Sequence, residues 1–258
     1  MDLHGRRALI TGATGGLGRV MADTLAELGA DLVLVDRPGS DFQPLGAALS
    51  ERWGVKVEHW HCDLEQQEPR VDLIQGLLAS GKGMDILINN AAFVGTSDLQ
   101  GWGVPFAEQM VATWRRALEV NLTAVFELCQ GLTPLLSASA GGSIINITSI
   151  YGEYGPIWSL YEGTSMSNPA AYGASKGGLI QFTRWLATTL APQVRVNAIS
   201  PGGIFRNQPE IFVERYAKRT PLGRMATEDD FRGVVAYLAS DLSRYVTGQN
   251  LAVGCLVG

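Results

Sequence analysis

An apolar strand, a glycine-rich turn and an amphipathic helix follow one another at the start of the chain. Residues 7–11 form the strand, and the helical pattern after the turn ends near Gly29. A second uninterrupted apolar run follows at residues 32–35. This order predicts a strand-helix-strand unit that opens on a glycine loop, and such a unit belongs to a parallel sheet.

Five further strand-like runs follow, each separated from the next by a stretch long enough for a helix. They cover residues 55–59, 86–89, 143–148, 194–199 and 250–253. Continuous apolar strands are typical of a parallel sheet covered on both faces by helices. The sequence therefore predicts an α/β fold with a Rossmann-type, doubly wound sheet. The chain has 258 residues and no linker, charge run or repeat, so we expect a single domain over residues 1–258.

Small and polar residues come directly after nearly every predicted strand. Sheets of this type bind ligands beyond the carboxyl ends of their strands, where the strand order reverses. We therefore expect a binding site at that edge of the sheet. The residues concerned are Thr11, Asp36, Asp63, Asn89, Asn90, Ser149, Ser200, Pro201 and Gly202.

The turn after the first strand reads TGATGGLG, residues 11–18. It has no long side chain to keep a pyrophosphate away from the backbone, and the next helix offers its free N–H groups. Its glycines fit two spacings, TGxxxGxG through Gly12, Gly16 and Gly18, or TGxxGxxG with Gly15 in the middle. Taken alone, the loop is also compatible with an ordinary turn.

Asp36 ends the second predicted strand, about 20 residues after the last loop glycine, where a carboxylate accepts hydrogen bonds from the adenosine ribose. Its charge would repel a 2′-phosphate, so the sequence favours NAD over NADP. Arg37 beside it leaves some room for phosphate binding, but the loop carries no basic residue at positions 13–15. A polar strand terminus without a ligand is the alternative interpretation.

Tyr172 and Lys176 stand four positions apart in YGASK. On a helix this spacing places both side chains on one face. A nearby ammonium favours the phenolate and lowers the pKa of the tyrosine, as a proton-transfer catalyst requires. By itself the pair is more typical of a solvated helix face.

Together these segments resemble the short-chain dehydrogenase/reductase family over nearly the whole chain. The matching pieces, in order, are TGATGGLG, Asp36, CDL at 62–64, NNAA at 89–92, Asn121 in EVNLT, Ser149 after INIT, YGASK at 172–176 and SPGGI at 200–204. The resemblance implies four catalytic residues, Asn121, Ser149, Tyr172 and Lys176. It implies cofactor contacts by Gly12, Thr14, Gly16, Leu17, Gly18, Asp36, Arg37, Asp63, Leu64, Asn90, Ala91, Tyr172, Lys176, Pro201, Gly203 and Ile204.

The resemblance implies an NAD-dependent oxidoreductase that moves a hydride between nicotinamide and a secondary alcohol or ketone, such as that of a sugar or polyol. Tyr172 would exchange the proton and Ser149 would bind the substrate oxygen. Lys176 would lower the tyrosine pKa and hold the nicotinamide ribose, and Asn121 would hold a proton-relaying water. Two alternatives are a sugar dehydratase or epimerase with tightly bound NAD, and a dinucleotide-binding protein without turnover.

The two loop spacings separate branches of the family. TGxxGxxG resembles the longer members that epimerise or dehydrate nucleotide sugars and carry a C-terminal substrate domain. This chain ends soon after its last predicted strand, and SPGGI with Asn121 resembles the short, single-domain dehydrogenases. We therefore expect Gly12, Gly16 and Gly18 to form the loop.

Four features depart from the family pattern. Ala92 replaces a usual glycine, Arg206 replaces a threonine that holds the nicotinamide carboxamide, and the terminus AVGCLVG lacks an aspartate. The segment between Ser149 and Tyr172 is longer than usual, and residues 150–168 form an insertion rich in aromatic side chains. It is either a substrate wall or a loop packed on the body of the protein. This insertion and GGIFRNQPE loosely resemble members linked to bacterial surface-sugar and flagellin modification.

Composition limits the partners that we expect. The net charge of −5 argues against nucleic acid and anionic membranes. No apolar run is long enough for a membrane span and few residues precede the first strand, so we expect a cytoplasmic protein with a small-molecule substrate. Family members commonly form dimers or tetramers, which implies a homo-oligomer.

The three cysteines, Cys62, Cys129 and Cys255, show no metal-binding spacing, so we expect reduced core residues and no metal site.

Overall fold

The computed structural model describes residues 1–94 and 99–254, and its seven strands form one parallel sheet. They are β1 (Arg7–Thr11), β2 (Asp31–Asp36), β3 (Val57–His61), β4 (Ile86–Asn89), β5 (Gly142–Ile147), β6 (Val194–Pro201) and β7 (Asn250–Val253). Their order is β3-β2-β1-β4-β5-β6-β7, so the direction of winding reverses between β1 and β4. The predicted α/β fold with a doubly wound parallel sheet is confirmed.

Helices cover both faces of this sheet. Because alternate residues of a strand point to opposite faces, neighbouring residues of β1 belong to different cores. Ile10 lies in one core with Leu25 and Val235, whereas Leu9 lies in the other with Leu128. The α-helices are α1 (Gly16–Glu27), α2 (Gln43–Trp53), α3 (Gln67–Ala79), α4 (Val111–Leu118), α5 (Ala124–Ala138), α6 (Ala170–Leu190), α7 (Glu210–Arg219) and α8 (Arg232–Ala239).

Strand β3 begins two residues later than the sequence predicts. It lies at the edge of the sheet and pairs with β2, from Leu32 opposite Val57 to Asp36 opposite His61. Its residues are only partly buried or exposed, so the strand lacks the continuous apolar pattern of the central ones. The predicted strand began at Val55 because this residue is apolar. In the structure Val55 is buried in the core, and the strand begins two residues after it.

Strand β6 continues beyond its predicted end, because Ser200 and Pro201 still pair with β7. This extension places SPGGI at the same edge of the sheet as the glycine loop after β1 and Ser149 after β5. The carboxyl ends of the central strands therefore meet around one site, as the positions of the polar residues predict.

Within the described ranges, no helix combines the length and the apolar character needed to cross a membrane. Cys62 and Cys129 are buried and free, in agreement with reduced core residues. Cys255 and the residues after it lie outside the described residues.

Candidate active site

The glycine loop between β1 and α1 is closely packed at two of its glycines. Gly12 has a φ of +64°, and a Cβ there would lie 2.9 Å from the Cα of Ala91. A Cβ on Gly18 would lie 2.1 Å from the carbonyl oxygen of Gly12. At Gly15 the nearest atom would be 3.4 Å away, an ordinary contact, whereas at Gly16 it would be 2.7 Å away. The two glycines that the backbone packing requires, Gly12 and Gly18, are common to both spacings, and the close contact at Gly16 is with the movable end of the Glu228 side chain.

The loop is tied to the end of β4, across the point where the strand order reverses. Asn90 Nδ2 donates to the carbonyl oxygens of Thr11 at 2.9 Å and Gly12 at 3.1 Å. The backbone N–H groups of Asn90 and Ala91 both donate to Thr11 Oγ1 at 3.0 Å. These bonds fix the backbone that a pyrophosphate would approach.

Asp36 holds the loop from the other side. Its Oδ2 accepts hydrogen bonds from the backbone N–H of Thr14 at 2.9 Å and from Thr14 Oγ1 at 2.7 Å, and its Oδ1 accepts from the N–H of Arg37 at 2.8 Å. A carboxylate oxygen has more than one acceptor position, so Oδ1 retains capacity for a ribose hydroxyl. The sequence pattern did not reveal that Asp36 also organises the glycine loop.

Helix α6 carries Tyr172 and Lys176 on one face, near Ser149 after β5. Lys176 is 2% exposed, and its Nζ donates to the carbonyl oxygen of Ile147 at 2.8 Å and lies 5.8 Å from the centroid of the Tyr172 ring. Ser149 Oγ accepts a hydrogen bond from the backbone N–H of Tyr151 at 3.2 Å, which starts the 3-10 helix Ile150–Gly152. The i, i+4 spacing thus forms the expected pair.

Burial dominates the protonation of this pair. It lowers the pKa of Lys176 to about 8. It raises the pKa of Tyr172, against the opposing effects of a hydrogen bond with Ser149 and the positive charge of Arg206. The net direction for the phenol differs from the lowered pKa that the spacing predicts, because desolvation outweighs the opposing effects of Ser149 and Arg206.

Asn121 lies in a π-helical turn, Glu119–Thr123, between α4 and α5. Its Oδ1 accepts from the N–H of Phe93 at 2.6 Å, and its Nδ2 donates to the carbonyl oxygen of Phe93 at 3.2 Å and to Ser175 Oγ at 3.0 Å. π-helical turns frequently mark functional sites. Here the amide connects the segment after β4 to the first turns of α6, so Asn121 contributes to the position of Tyr172 and Lys176.

A cavity of about 670 Å³ joins these elements. It extends from Asp36 at one end to Tyr172 at the other, and Asn121, Asp63 and Leu64 are not among the described residues that line it. Asp63 instead accepts a hydrogen bond from the N–H of Glu65, and the Leu64 carbonyl accepts from Arg70. The predicted site residues that do line the cavity are Gly12, Thr14, Gly16, Leu17, Gly18, Asp36, Arg37, Asn90, Ala91, Ser149, Tyr172, Lys176, Pro201, Gly203 and Ile204.

The insertion lines the Tyr172 end of this cavity and also packs on the protein. Tyr151, Tyr161 and Met166 line the cavity, and the hydroxyl oxygens of the two tyrosines are 2.6 Å apart. Leu160 is fully buried against α7 and the segment that follows it. Tyr154 and Trp158 line a separate cavity, so only part of the aromatic content forms the expected wall.

Several lining residues were not predicted from the sequence. Phe212 and Tyr216 on α7 and Met225 after it form the outer wall at the catalytic end. Their spacing carries no chemical signature, and an i, i+4 aromatic pair is typical of any packed helix. Arg206, noted only as a departure from the family pattern, also lines this end.

Fold and site together fit a dinucleotide-binding α/β oxidoreductase, with Tyr172 and Lys176 of α6 in the same cavity as the glycine loop. A family model described as enoyl-(acyl carrier protein) reductase matches residues 12–255. The chain belongs to the short-chain dehydrogenase/reductase family and is an NAD(P)-dependent oxidoreductase.

Relatives agree with this assignment over nearly their full length. The chain is 30% identical to the 3-oxoacyl-(acyl-carrier-protein) reductase FabG of Aquifex aeolicus, with 98% of this chain and 97% of that protein covered. Among solved structures, an NAD⁺-bound xylitol dehydrogenase matches with a TM-score of 0.86 at 28% identity, covering 98% and 99% of the two chains. The NADPH-dependent 3-quinuclidinone reductase of Rhodotorula rubra matches with a TM-score of 0.85 at 27% identity, covering 98% and 91%.

Proposed function

We propose that this protein transfers a hydride between NAD(H) and a secondary alcohol or ketone, with Tyr172 as the proton-exchanging group. The observation that carries the proposal is that Ser149, Tyr172 and Lys176 line the same cavity as the glycine loop. The nicotinamide, when bound, accepts or supplies the hydride. The protein's own side chains orient the substrate and move its proton.

Tyr172 donates a proton to a ketone oxygen or accepts one from an alcohol. Its raised pKa keeps the phenol protonated at neutral pH, which is the form needed to reduce a ketone. In the opposite direction the phenol must first lose its proton, so alcohol oxidation is favoured by higher pH. Ser149 donates a hydrogen bond to the same substrate oxygen in both directions.

Lys176 supplies a positive charge beside the phenol and binds the cofactor ribose. An ammonium group has three protons, and Lys176 uses one of them on the carbonyl oxygen of Ile147. The others are available for ribose hydroxyls. Asn121 fixes the geometry of this helix through Phe93 and Ser175, and an ordered water beside it passes the proton onward.

NAD is the proposed cofactor because of Asp36. Its carboxylate lies at the end of the cavity that would hold the adenosine, fixed by Thr14 and Arg37. A 2′-phosphate would meet this negative charge, whereas a 2′-hydroxyl would donate a hydrogen bond to it. Asp63 and Leu64 are proposed as more distant contacts of the adenine.

The substrate is proposed to bind between the insertion and α7, as an alcohol or ketone of a sugar, a polyol or a similar ring. Aromatic faces and the hydroxyls of Tyr151 and Tyr161 line this part of the cavity, a combination suited to a ring that carries hydroxyl groups. We propose that residues 1–258 act as one domain and that the protein is a homo-oligomer. The exposed aromatic side chains of Phe126 on α5 and Trp185 on α6 support an interface between subunits.

The direct test is a titration of the protein with NAD⁺ and NADH, followed by a screen of polyols, sugars and cyclic alcohols for NADH formation at 340 nm. We expect tight binding of the dinucleotide and accumulation of free NADH with at least one secondary alcohol. A failure to bind either dinucleotide would refute the proposal. Product formation without accumulation of NADH would indicate the dehydratase or epimerase chemistry instead.

A further inference from the structure

Arg206 lies on a short segment that is fixed to the wall of the cavity. The N–H of Phe205 donates to the carbonyl oxygen of Ala226 at 2.8 Å, and the N–H of Ala226 donates to that of Gly203 at 2.9 Å. The backbone N–H of Arg206 itself donates to Gln208 Oε1 at 2.7 Å. The backbone therefore has a defined position from which the guanidinium reaches into the cavity that Arg206 lines.

The side chain of Arg206 is held toward the glycine loop by Glu228. Arg206 Nε donates to Glu228 Oε1 at 3.0 Å. That same oxygen lies 2.7 Å from the position of a Cβ on Gly16, the first residue of α1. The ion pair thus places the guanidinium beside the first turn of α1, on the side of the loop that faces the cavity.

The rest of the guanidinium is available for a ligand. Within residues 1–94 and 99–254, hydrogen bonding of the Arg206 side chain involves Nε alone, and the two Nη nitrogens donate to no protein atom. A planar guanidinium fork is suited to bidentate binding of phosphate or carboxylate oxygens. Gly15, the N-cap of α1, provides no side-chain hydrogen bond, and α1 has no acidic residue of its own in its first turn, so its N–H groups also favour an anion there. Arg206 offsets the charge of the Glu228 carboxylate that lies beside Gly16.

The other charged side chains that line the cavity within the described residues are already engaged or lie elsewhere. Asp36 and Arg37 lie at the adenosine end, and Lys176 is buried against Ile147. Arg206 lines the cavity toward its catalytic end, where its charge opposes the rise in the pKa of Tyr172, and its ion pair with Glu228 holds the guanidinium toward the glycine loop. A dinucleotide in this cavity would place its pyrophosphate at that loop.

We propose that Arg206 binds the pyrophosphate of the cofactor, in place of the carboxamide contact that a threonine makes at this position in the family. Glu228 is the positioning residue that holds the guanidinium beside Gly16. This inference rests on the proposed function, since it requires a nicotinamide dinucleotide in the cavity. It assigns Arg206 to the phosphate groups rather than to the nicotinamide or to an anionic substrate.

Isothermal titration of the full chain with NAD⁺ and with ADP-ribose tests the assignment, because ADP-ribose retains the pyrophosphate and lacks the nicotinamide. We expect Arg206→Gln to weaken the binding of both ligands by about tenfold or more, the effect of losing a charge-assisted hydrogen bond. Arg206→Lys retains the charge and should recover part of the affinity. Because the interaction is electrostatic, the difference between the unmodified protein and Arg206→Gln should shrink as salt is added.

Arg224→Gln is the matched control. Arg224 is in the same region, its side chain is 54% exposed like that of Arg206, and it forms an ion pair with Asp230, but it does not line the cavity. We expect the Arg224→Gln variant to bind NAD⁺ and ADP-ribose with the same affinities as the unmodified protein.

Each other outcome overturns the inference. A loss confined to NAD⁺ would assign Arg206 to the nicotinamide carboxamide. Unchanged binding of both ligands with a raised KM for an anionic substrate would assign it to the substrate. If the unmodified protein bound neither ligand, the proposed function itself would fail, which is distinct from a failure of Arg206 alone.

Discussion

The Nζ of Lys176 lies 5.8 Å from the ring centroid of Tyr172, one helical turn away on α6. Lys176 is buried and Tyr172 is partly buried, and the ammonium donates a hydrogen bond to a backbone carbonyl of β5. The charge of Lys176 is therefore fixed by the fold beside the phenol. Replacing Tyr172 should therefore affect turnover, whereas replacing Lys176 should also affect how stability depends on pH.

Replacing Tyr172 by Phe removes the proton-exchanging hydroxyl and leaves the ring in place. We expect turnover to fall by about a hundredfold or more, the usual contribution of a general acid or base, while NAD⁺ binding is nearly unchanged. Tyr154→Phe is the control, because Tyr154 is in the insertion but faces a separate cavity. Substantial turnover by Tyr172→Phe would assign the proton transfer to another group.

Replacing Lys176 by Met should change how stability depends on pH. Burial lowers the pKa of Lys176 from 10.5 to about 8, so between these values the unfolded chain binds more protons than the folded one. Below this window the folded protein carries the full cost of burying the charged ammonium. As the pH rises through the window this cost is lost, and the free energy of unfolding increases. Relative to Lys176→Met, the free energy of unfolding of the unmodified protein should rise by up to about 3 kcal/mol between pH 7 and pH 10.5.

Urea denaturation at a series of pH values measures this difference. Lys56→Met is the control, since Lys56 is exposed and its replacement should give a curve parallel to that of the unmodified protein. Parallel curves for Lys176→Met as well would show that the ammonium is not desolvated. Lys176→Met should also weaken NAD⁺ binding and lose turnover, because the same ammonium is proposed to bind the ribose.

The sequence predicted the pairing of Tyr172 and Lys176 because helical spacing is a local property. The direction of the tyrosine pKa was not predictable in the same way, because it depends on burial by segments far along the chain. Central strands such as β1 and β4 were located by their apolar runs, whereas β3 at the edge was displaced. The wall formed by Phe212 and Tyr216 depends on how α7 packs, and no local pattern encodes that.

Replacing Asp36 by Asn tests the preference for NAD. The amide keeps an acceptor for Thr14 but removes the charge, so NADP⁺ should bind more tightly relative to NAD⁺. We expect the ratio of the two affinities to change by at least about tenfold, since juxtaposed like charges cost several kcal/mol. Asp31→Asn, at the other end of β2, should leave the ratio unchanged. Equal affinities of the unmodified protein for both cofactors would contradict the proposed role of Asp36.

Substitutions of two side chains in the insertion can distinguish a role in substrate binding from a role in packing. Leu160 is fully buried against Phe212, Tyr216 and Met225, so shortening the whole insertion would remove core contacts together with any substrate wall. Single substitutions avoid this ambiguity. Leu160→Ala should lower the free energy of unfolding by about 2–5 kcal/mol, the usual cost of truncating a buried leucine.

Tyr161→Phe is the complementary variant, because it removes a hydroxyl at the cavity wall and leaves the ring packed on Phe212. If residues 150–168 bind substrate, this variant should raise KM while the melting temperature and NAD⁺ affinity change little. Tyr154→Phe again serves as the control outside the cavity. A packing role alone predicts that kcat/KM is unchanged in Tyr161→Phe and that Leu160→Ala loses stability without a change in KM. That pair of results would remove the insertion from the substrate site and leave α7 as its outer boundary.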